Sequence, residues 1–143
     1  MECEFPTINE KNDEIIKILK ETKTIAVIGL SPNIQKDSHK VARYMQSAGY
    51  KIIPVYPKDE KILGEKVYRS LSDIKEKVDL VDMFRKPAIA DEIVDEIKKR
   101  NDVKVLWLQQ GIVNNEAAKR AKDLGLDVVQ NKCIMVEHKM NLS

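Results

Sequence analysis

Apolar and polar positions along the chain fall into two alternating patterns. Residues 12–22 open with Asn12 and Asp13 and set Ile15, Ile16 and Leu19 on one face of a 3.6-residue period, which predicts a helix. The stretch from Thr24 to Leu30 is a nearly unbroken apolar run meeting a glycine, Gly29, and such runs mark strands buried on both faces. Ser38 then stands where it can cap a helix carrying Val41, Ala42 and Met45 inward, closed by Gly49. The succession returns. Lys51 to Tyr56 predicts a second strand, and Pro54, which lacks a ladder donor, assigns it to a sheet edge or a bulge. Val78 to Phe84 predicts a third strand. The helix after it runs from Pro87 to residue 100, with Ile89, Ile93 and Ile97 in one stripe, acids early and bases late. Val103 to Leu108 and Leu126 to Val129 predict the fourth and fifth strands. Between them Asn114 caps a helix bearing Ala117, Ala118, Ala121 and Leu124 before Gly125.

Strands alternating with helices of this length predict an α/β fold built on a parallel sheet with right-handed crossovers. Residues 1–11 form a short arm and residues 12–143 one domain. In such sheets ligands bind beyond the carboxyl ends of the strands, where the strand order reverses. The loops after Gly29, Tyr56, Phe84, Leu108 and Val129 are therefore the places to look.

Composition narrows the classes. The 25 basic and 23 acidic residues leave a net charge of +2, too nearly cancelled for a dedicated nucleic-acid or membrane binder. No apolar run approaches the ~18–20 residues needed to span a bilayer. The opening Met1-Glu2-Cys3-Glu4-Phe5 lacks the basic and apolar regions of a signal peptide. Cys3 and Cys133 share no CxxC spacing, which argues against a disulfide scaffold or a cysteine-based zinc site and fits a reducing cytoplasm. His39 and His138 share no metal-ligand spacing and read as packed or solvated. Asp79 and Asp82, three apart in a strand, point to opposite faces, which opposes a carboxylate dyad. Neither GxSxG nor HExxH occurs, so no catalytic or metal-binding residue is assigned.

The loops carry the remaining chemistry. The first, from Gly29 through Leu30, Ser31, Pro32 and Lys36 to Ser38, is a strand-to-helix turn whose backbone N–H groups can receive a pyrophosphate. It is not GxGxxG, since Ser31 and Ile34 stand at the later glycine positions, and a glycine used for turn geometry alone leaves the same pattern. The second loop is Pro54-Val55-Tyr56-Pro57-Lys58. It has no acid to hold a ribose 2′-OH before Asp59, and Lys58 suits a ribose bearing an extra phosphate, as in NADP or coenzyme A (CoA). Its prolines and Tyr56 can shelve an adenine; a stiffened turn with a solvated lysine is the plain alternative. The third loop, Phe84-Arg85-Lys86-Pro87, sets two cations where phosphate oxygens can be held. Gln109-Gln110-Gly111 offers amides and a close-approach glycine. Asn131-Lys132-Cys133 puts a thiol at the sheet's carboxyl edge, although a lone cysteine is more often a small buried hydrophobe.

The stretches Ile25-Ala-Val-Ile-Gly-Leu-Ser-Pro32, Gly49-Tyr-Lys-Ile-Ile-Pro-Val-Tyr-Pro57, Ile62-Leu-Gly-Glu-Lys-Val-Tyr68, Val78-Asp-Leu-Val-Asp-Met-Phe-Arg85, Leu106-Trp-Leu-Gln-Gln-Gly111 and Asn131-Lys-Cys133 resemble the stand-alone CoA-binding-domain proteins. Similar domains form the N-terminal part of the α subunit of succinyl-CoA synthetase. The resemblance covers about residues 20–138. It implies a Rossmann-like, doubly wound, mainly parallel five-stranded sheet with helices on both faces. It further implies that the Gly29-Leu30-Ser31 turn meets the CoA phosphates and that Pro54 to Lys58 surround the adenosine and its 3′-phosphate. Phe84 to Pro87 and Gln110 to Gly111 would border the nucleotide or pantetheine path. Tyr56 departs from the asparagine of many relatives, and Lys132 from arginine. The synthetases carry a further domain with a phosphorylated histidine, for which a chain ending at Ser143 leaves no room, so ligase activity is not expected. The expected ligand is CoA or an acyl-CoA, bound by a cytoplasmic carrier, sensor or accessory protein, with no nucleic acid or membrane partner. A small NADP-linked oxidoreductase or redox-responsive regulator is the alternative, and a mixed disulfide between Cys133 and the CoA thiol a further one. Oligomeric state, protein partners and any reaction stay open.

Overall fold

The computed structural model describes residues 5–142, so Cys3 lies outside the described residues. In chain order the elements are α1 (Asn12–Glu21), β1 (Thr24–Ile28), α2 (Asp37–Ser47), β2 (Lys51–Val55), a small hairpin of β3 (Lys61–Ile62) and β4 (Glu65–Lys66), and a 3-10 turn (Leu71–Asp73). Then come β5 (Leu80–Met83), α3 (Ile89–Lys98), β6 (Val105–Leu108), α4 (Asn115–Asp123), β7 (Asp127–Val129) and α5 (Ile134–Leu142). The main sheet is parallel throughout, in the order β2-β1-β5-β6-β7. The order reverses between β1 and β5, and this is the switch point at which a doubly wound sheet opens a crevice.

The apolar runs read as strands are buried on both faces. On one face Ala26, Ile28, Val81, Met83, Leu106 and Leu108 pack with α3, α4 and the 3-10 turn. On the other, Ile25, Val27, Leu80, Val105 and Trp107 pack with α1, α2 and α5. Trp107 is fully enclosed, and its Nε1 donates to Lys132 O at 2.8 Å, so the largest core side chain also holds the chain after β7.

Both edges of the sheet are covered. Pro54 does lie in an edge strand, opposite Val27, and its carbonyl turns outward to accept from Tyr68 N at 3.0 Å. The donor that proline lacks thus falls on the open side. Tyr56 N donates back to Tyr68 O at 3.0 Å, so an isolated bridge takes the place of a sixth strand. At the far edge the arm runs beside β7. Glu10 N donates to Val128 O, Glu10 Oε2 accepts from Val128 N, and Asn9 Oδ1 accepts from Gln130 N.

Several local expectations shift. Ser38 does not cap α2: the helix starts at Asp37 behind Lys36, and Ser38 Oγ instead accepts from Ser31 N at 3.0 Å. β1 stops at Ile28, leaving Gly29 and Leu30 in the turn. In α1 the inward residues are Ile15, Ile18 and Leu19, with Ile16 half-buried, and Leu124, expected inward, is 42% exposed just past the end of α4. Asn114 caps as expected, accepting from Ala117 N at 3.0 Å. The β3–β4 hairpin turns on Leu63 and Gly64, both at positive φ, a turn geometry for which the sequence offers Leu-Gly instead of the usual Asn-Gly.

Candidate functional site

The loops after β1 and β5 meet at the switch point. Gly29 has φ +85°, its N–H donates to Val55 O at 2.8 Å, and Phe84 N donates to Ile28 O at 2.9 Å. A Cβ on Gly29 would stand 2.9 Å from Arg85 Cδ and 3.3 Å from Phe84 O. Glycine is required here for its backbone conformation and for the approach of the next loop. Along the first loop, Ser31 Oγ accepts from Asn33 N and Asn33 Oδ1 from Gln35 N. His39, 7% exposed, places Nδ1 2.9 Å from Ser31 O. Ser38 and His39 therefore hold the loop from inside the first turn of α2. Among the described residues the N–H groups of Leu30, Asp37 and Ser38 have no partner within the chain, whereas that of Ser31 is taken by Ser38. Leu30 contributes backbone alone, because its side chain is completely buried in the α1/α2/α5 layer.

The second loop sits beside this turn on the edge strand. Val55 is buried in the opposite layer, Tyr56 is half-buried, and Pro57 and Lys58 are exposed. Arg69, which the sequence reading passed over, fixes the loop's shape: its Nη1 donates to Tyr56 O at 3.1 Å, Lys58 O at 3.0 Å and Asp59 O at 2.8 Å. Asp59 is thereby held at φ 66°. Lys36, Lys58, Arg85 and Lys86 all reach the carboxyl edge exposed, and no ion pair engages any of them among the described residues.

Phe84, Gln110 and Cys133 come together in a separate part of the same edge. With Asp37, Lys40, Val41, Gln109, Ile112, Met135 and Val136 they line a cleft of about 300 Å³ between the ends of β5 and β6 and the starts of α2 and α5. Gly111 N donates to Asn131 Oδ1 at 2.7 Å, tying the fourth loop to the fifth. Beneath the cleft Asp82, 1% exposed, accepts from Gln109 Nε2 at 2.6 Å. Burial pushes the Asp82 carboxyl up to about 7 against the opposing pull of that hydrogen bond. Asp79 instead accepts from Lys23 N and Thr24 N at the other end of the sheet, so the two aspartates form no dyad. His138, on α5, lies 2.8 Å from Tyr44 Oη through its Nδ1. Among the described residues no cluster of His, Cys, Asp or Glu could hold a metal ion, and no helix is long and apolar enough to cross a membrane.

Unbonded amides at a glycine turn and free cations on flanking loops stand at the switch point of a doubly wound α/β sheet, with the cleft beside them. Residues 23–139 match the CoA binding domain family. The chain belongs to that family. It is 41% identical over 134 residues to the uncharacterized protein YneT of Bacillus subtilis (strain 168), covering 91% of this chain and 96% of that one. Its structure is similar to that of a hypothetical protein from Pyrococcus horikoshii OT3, with a TM-score of 0.90, 39% identity and full coverage of both chains. An ADP-forming acetate–CoA ligase of Methanocaldococcus jannaschii is 22% identical over 129 residues, which make up 85% of this chain and 18% of the ligase.

Proposed function

We propose that the protein binds CoA or an acyl-CoA at the carboxyl edge of its sheet. The observation that carries the reading is the Gly29 turn, closed against Arg85, with free N–H groups at Leu30, Asp37 and Ser38. Backbone donors at a helix start favour a pyrophosphate. Lys36, Arg85 and Lys86 add charge around it. Lys58, presented by the loop that Arg69 clamps, meets the 3′-phosphate, with Pro54, Tyr56 and Pro57 beside the adenine. The pantetheine arm follows Phe84, Gln110 and Gly111 into the cleft, with Cys133 at its side. Membership of the CoA binding domain family supports the same ligand.

The residues shared with the ligase are 18% of its length, and no acid–base or nucleophilic constellation accompanies the cleft among the described residues. The role we propose is that of a cytoplasmic carrier, sensor or accessory protein without ligase activity of its own. Calorimetric titration with CoA, dephospho-CoA and NADP tests it. Heat from CoA, weakened when the 3′-phosphate is missing, is the expected result. Binding of NADP with none of CoA would overturn it in favour of a nicotinamide-linked role.

A further inference from the structure

The cleft contains a polar pair that phosphate binding does not use. Asp82 lies in the α2/α5 face of the sheet, in register between Val27 of β1 and Trp107 of β6. Its one hydrogen-bonding partner among the described residues is Gln109, itself 3% exposed and part of the cleft wall. An ionised carboxylate only accepts hydrogen bonds, whereas a glutamine amide has a donating end and an accepting end. Gln109 Nε2 is therefore committed to Asp82. Gln109 Oε1 has no partner within the described chain, and no fully enclosed side-chain polar atom is left unsatisfied, so this oxygen opens onto the cleft. The neighbouring wall is largely apolar: Val41, Phe84, Ile112 and Met135.

We propose that Asp82 is a positioning residue, which fixes Gln109 so that Oε1 faces the cleft as the acceptor for an amide N–H on an uncharged ligand arm. The proposal rests on the CoA reading, in which that arm is pantetheine, an amide-bearing chain ending in a thiol. It adds a switch. Because burial raises Asp82 to about 7, the carboxyl is protonated at pH 6 and can donate to Gln109 Oε1. The amide is then free to turn its NH2 toward the cleft, and the acceptor is no longer held in place. Of the other titratable groups, Asp37 and Lys40 on α2 and Cys133 before α5 line the cleft, and His39 on α2, His138 on α5 and Arg85 and Lys86 after β5 belong to the elements that form it. From β1 and β6 Val27 and Trp107 flank Asp82, with Gln109 just past β6, and none of these titrates.

Comparison with Asp82→Asn isolates the effect, because asparagine pairs with glutamine in either orientation at any pH. Titrations use CoA and adenosine 3′,5′-bisphosphate, which lacks the arm, at pH 6 and pH 8. The ratio of wild-type to variant affinity cancels the ionisation of the ligand phosphates and of the other groups. That ratio for CoA is expected to rise about fivefold from pH 6 to pH 8, the worth of one net hydrogen bond. For the bisphosphate it stays constant. Gln109→Leu gives a second route, lowering CoA affinity at pH 8 by a similar factor and flattening its pH dependence relative to wild type, with the bisphosphate unaffected. CoA binding with the same pH profile in wild type and both variants would overturn the role of Asp82 alone. Wild type taking up neither ligand would overturn the CoA reading and this inference with it.

Discussion

At the amino end of the sheet, Asp79 accepts from Lys23 N and Thr24 N, and Asp102 accepts from Val78 N and binds Arg100 through both oxygens. Arg100 also donates to the carbonyls of Leu71, Ile74 and Glu76. At the carboxyl end, four exposed cations and three backbone amides lack partners among the described residues, and Gln109 turns an oxygen to an open cleft. Cavity volume does not separate the two ends. The amino end has a hollow of about 340 Å³ lined by Thr22, Thr24, Asp79 and Lys104, slightly larger than the cleft by Phe84. The bonding of backbone amides does: Lys23 N, Thr24 N and Val78 N are taken by carboxylates at the amino end, whereas Leu30 N, Asp37 N and Ser38 N have no partner among the described residues at the carboxyl end. Amides bonded to the chain's own side chains make a structural joint, whereas free donors held in place are what a binding site needs.

The comparison breaks most visibly at Arg100. Arg100→Ala leaves Asp102 without its ion-pair partner and the carbonyls of Ile74 and Glu76 without a donor, and should cost about 3–5 kcal/mol of stability by urea unfolding. Burial raises the Asp102 carboxyl, but the hydrogen bonds from Arg100 and Val78 N outweigh it and hold it below the usual carboxylate range. Its contribution is therefore present above pH ~4 and lost as the pH falls through the depressed folded value, so the cost of the variant should shrink in acid. CoA affinity of the folded fraction should not change.

Asp82 has the opposite sign. Its folded pKa lies above its unfolded one, so the native state holds a proton that the unfolded chain has released, and stability falls as pH rises from ~4 to about 7. Asp82→Asn should raise stability at pH 8, by at most about 4 kcal/mol at ~1.4 kcal/mol per pKa unit, and have little effect at pH 4. Thermal unfolding across that range reads it, and a gain equal at both pH values would contradict the assignment. Gly29→Val places a branched side chain at φ +85° against Arg85, and should remove ~1–3 kcal/mol of stability and at least tenfold of CoA affinity. Lys58→Ala should leave the melting temperature unchanged while lowering CoA affinity about tenfold to a hundredfold and erasing most of the preference over dephospho-CoA. Lys51→Ala, which removes an exposed pair with Glu76 on the outer strand, should leave both the unfolding midpoint and binding essentially unchanged.

Local chemistry made the sheet legible in the sequence. Apolar runs marked the five strands of the main sheet, glycines and Asn114 punctuated the helices, and Pro54 pointed to an edge or a bulge, of which the fold takes the edge. The glycine turn and the cations near it could be named from the same information, since both follow from where strands end. What escaped the reading depended on partners remote in sequence. Ser38 had the residue type of a cap, yet its hydroxyl serves Ser31 N, because the chain folds back there. Nothing in the sequence sets Arg69 apart, because only the fold gathers three carbonyls of the second loop around its guanidinium. Helix α5, whose apolar residues follow no single stripe, became one wall of the cleft by packing against α1 and α2. Asp82 lies within β5 and Gln109 just past the end of β6, and only the pairing of those two strands brought the carboxyl and the amide to 2.6 Å. Sequence pattern determined the elements and their order, because burial periodicity is local. The tertiary structure alone decided which polar groups are consumed by the fold and which stay free, because a hydrogen bond forms between whatever groups packing sets side by side.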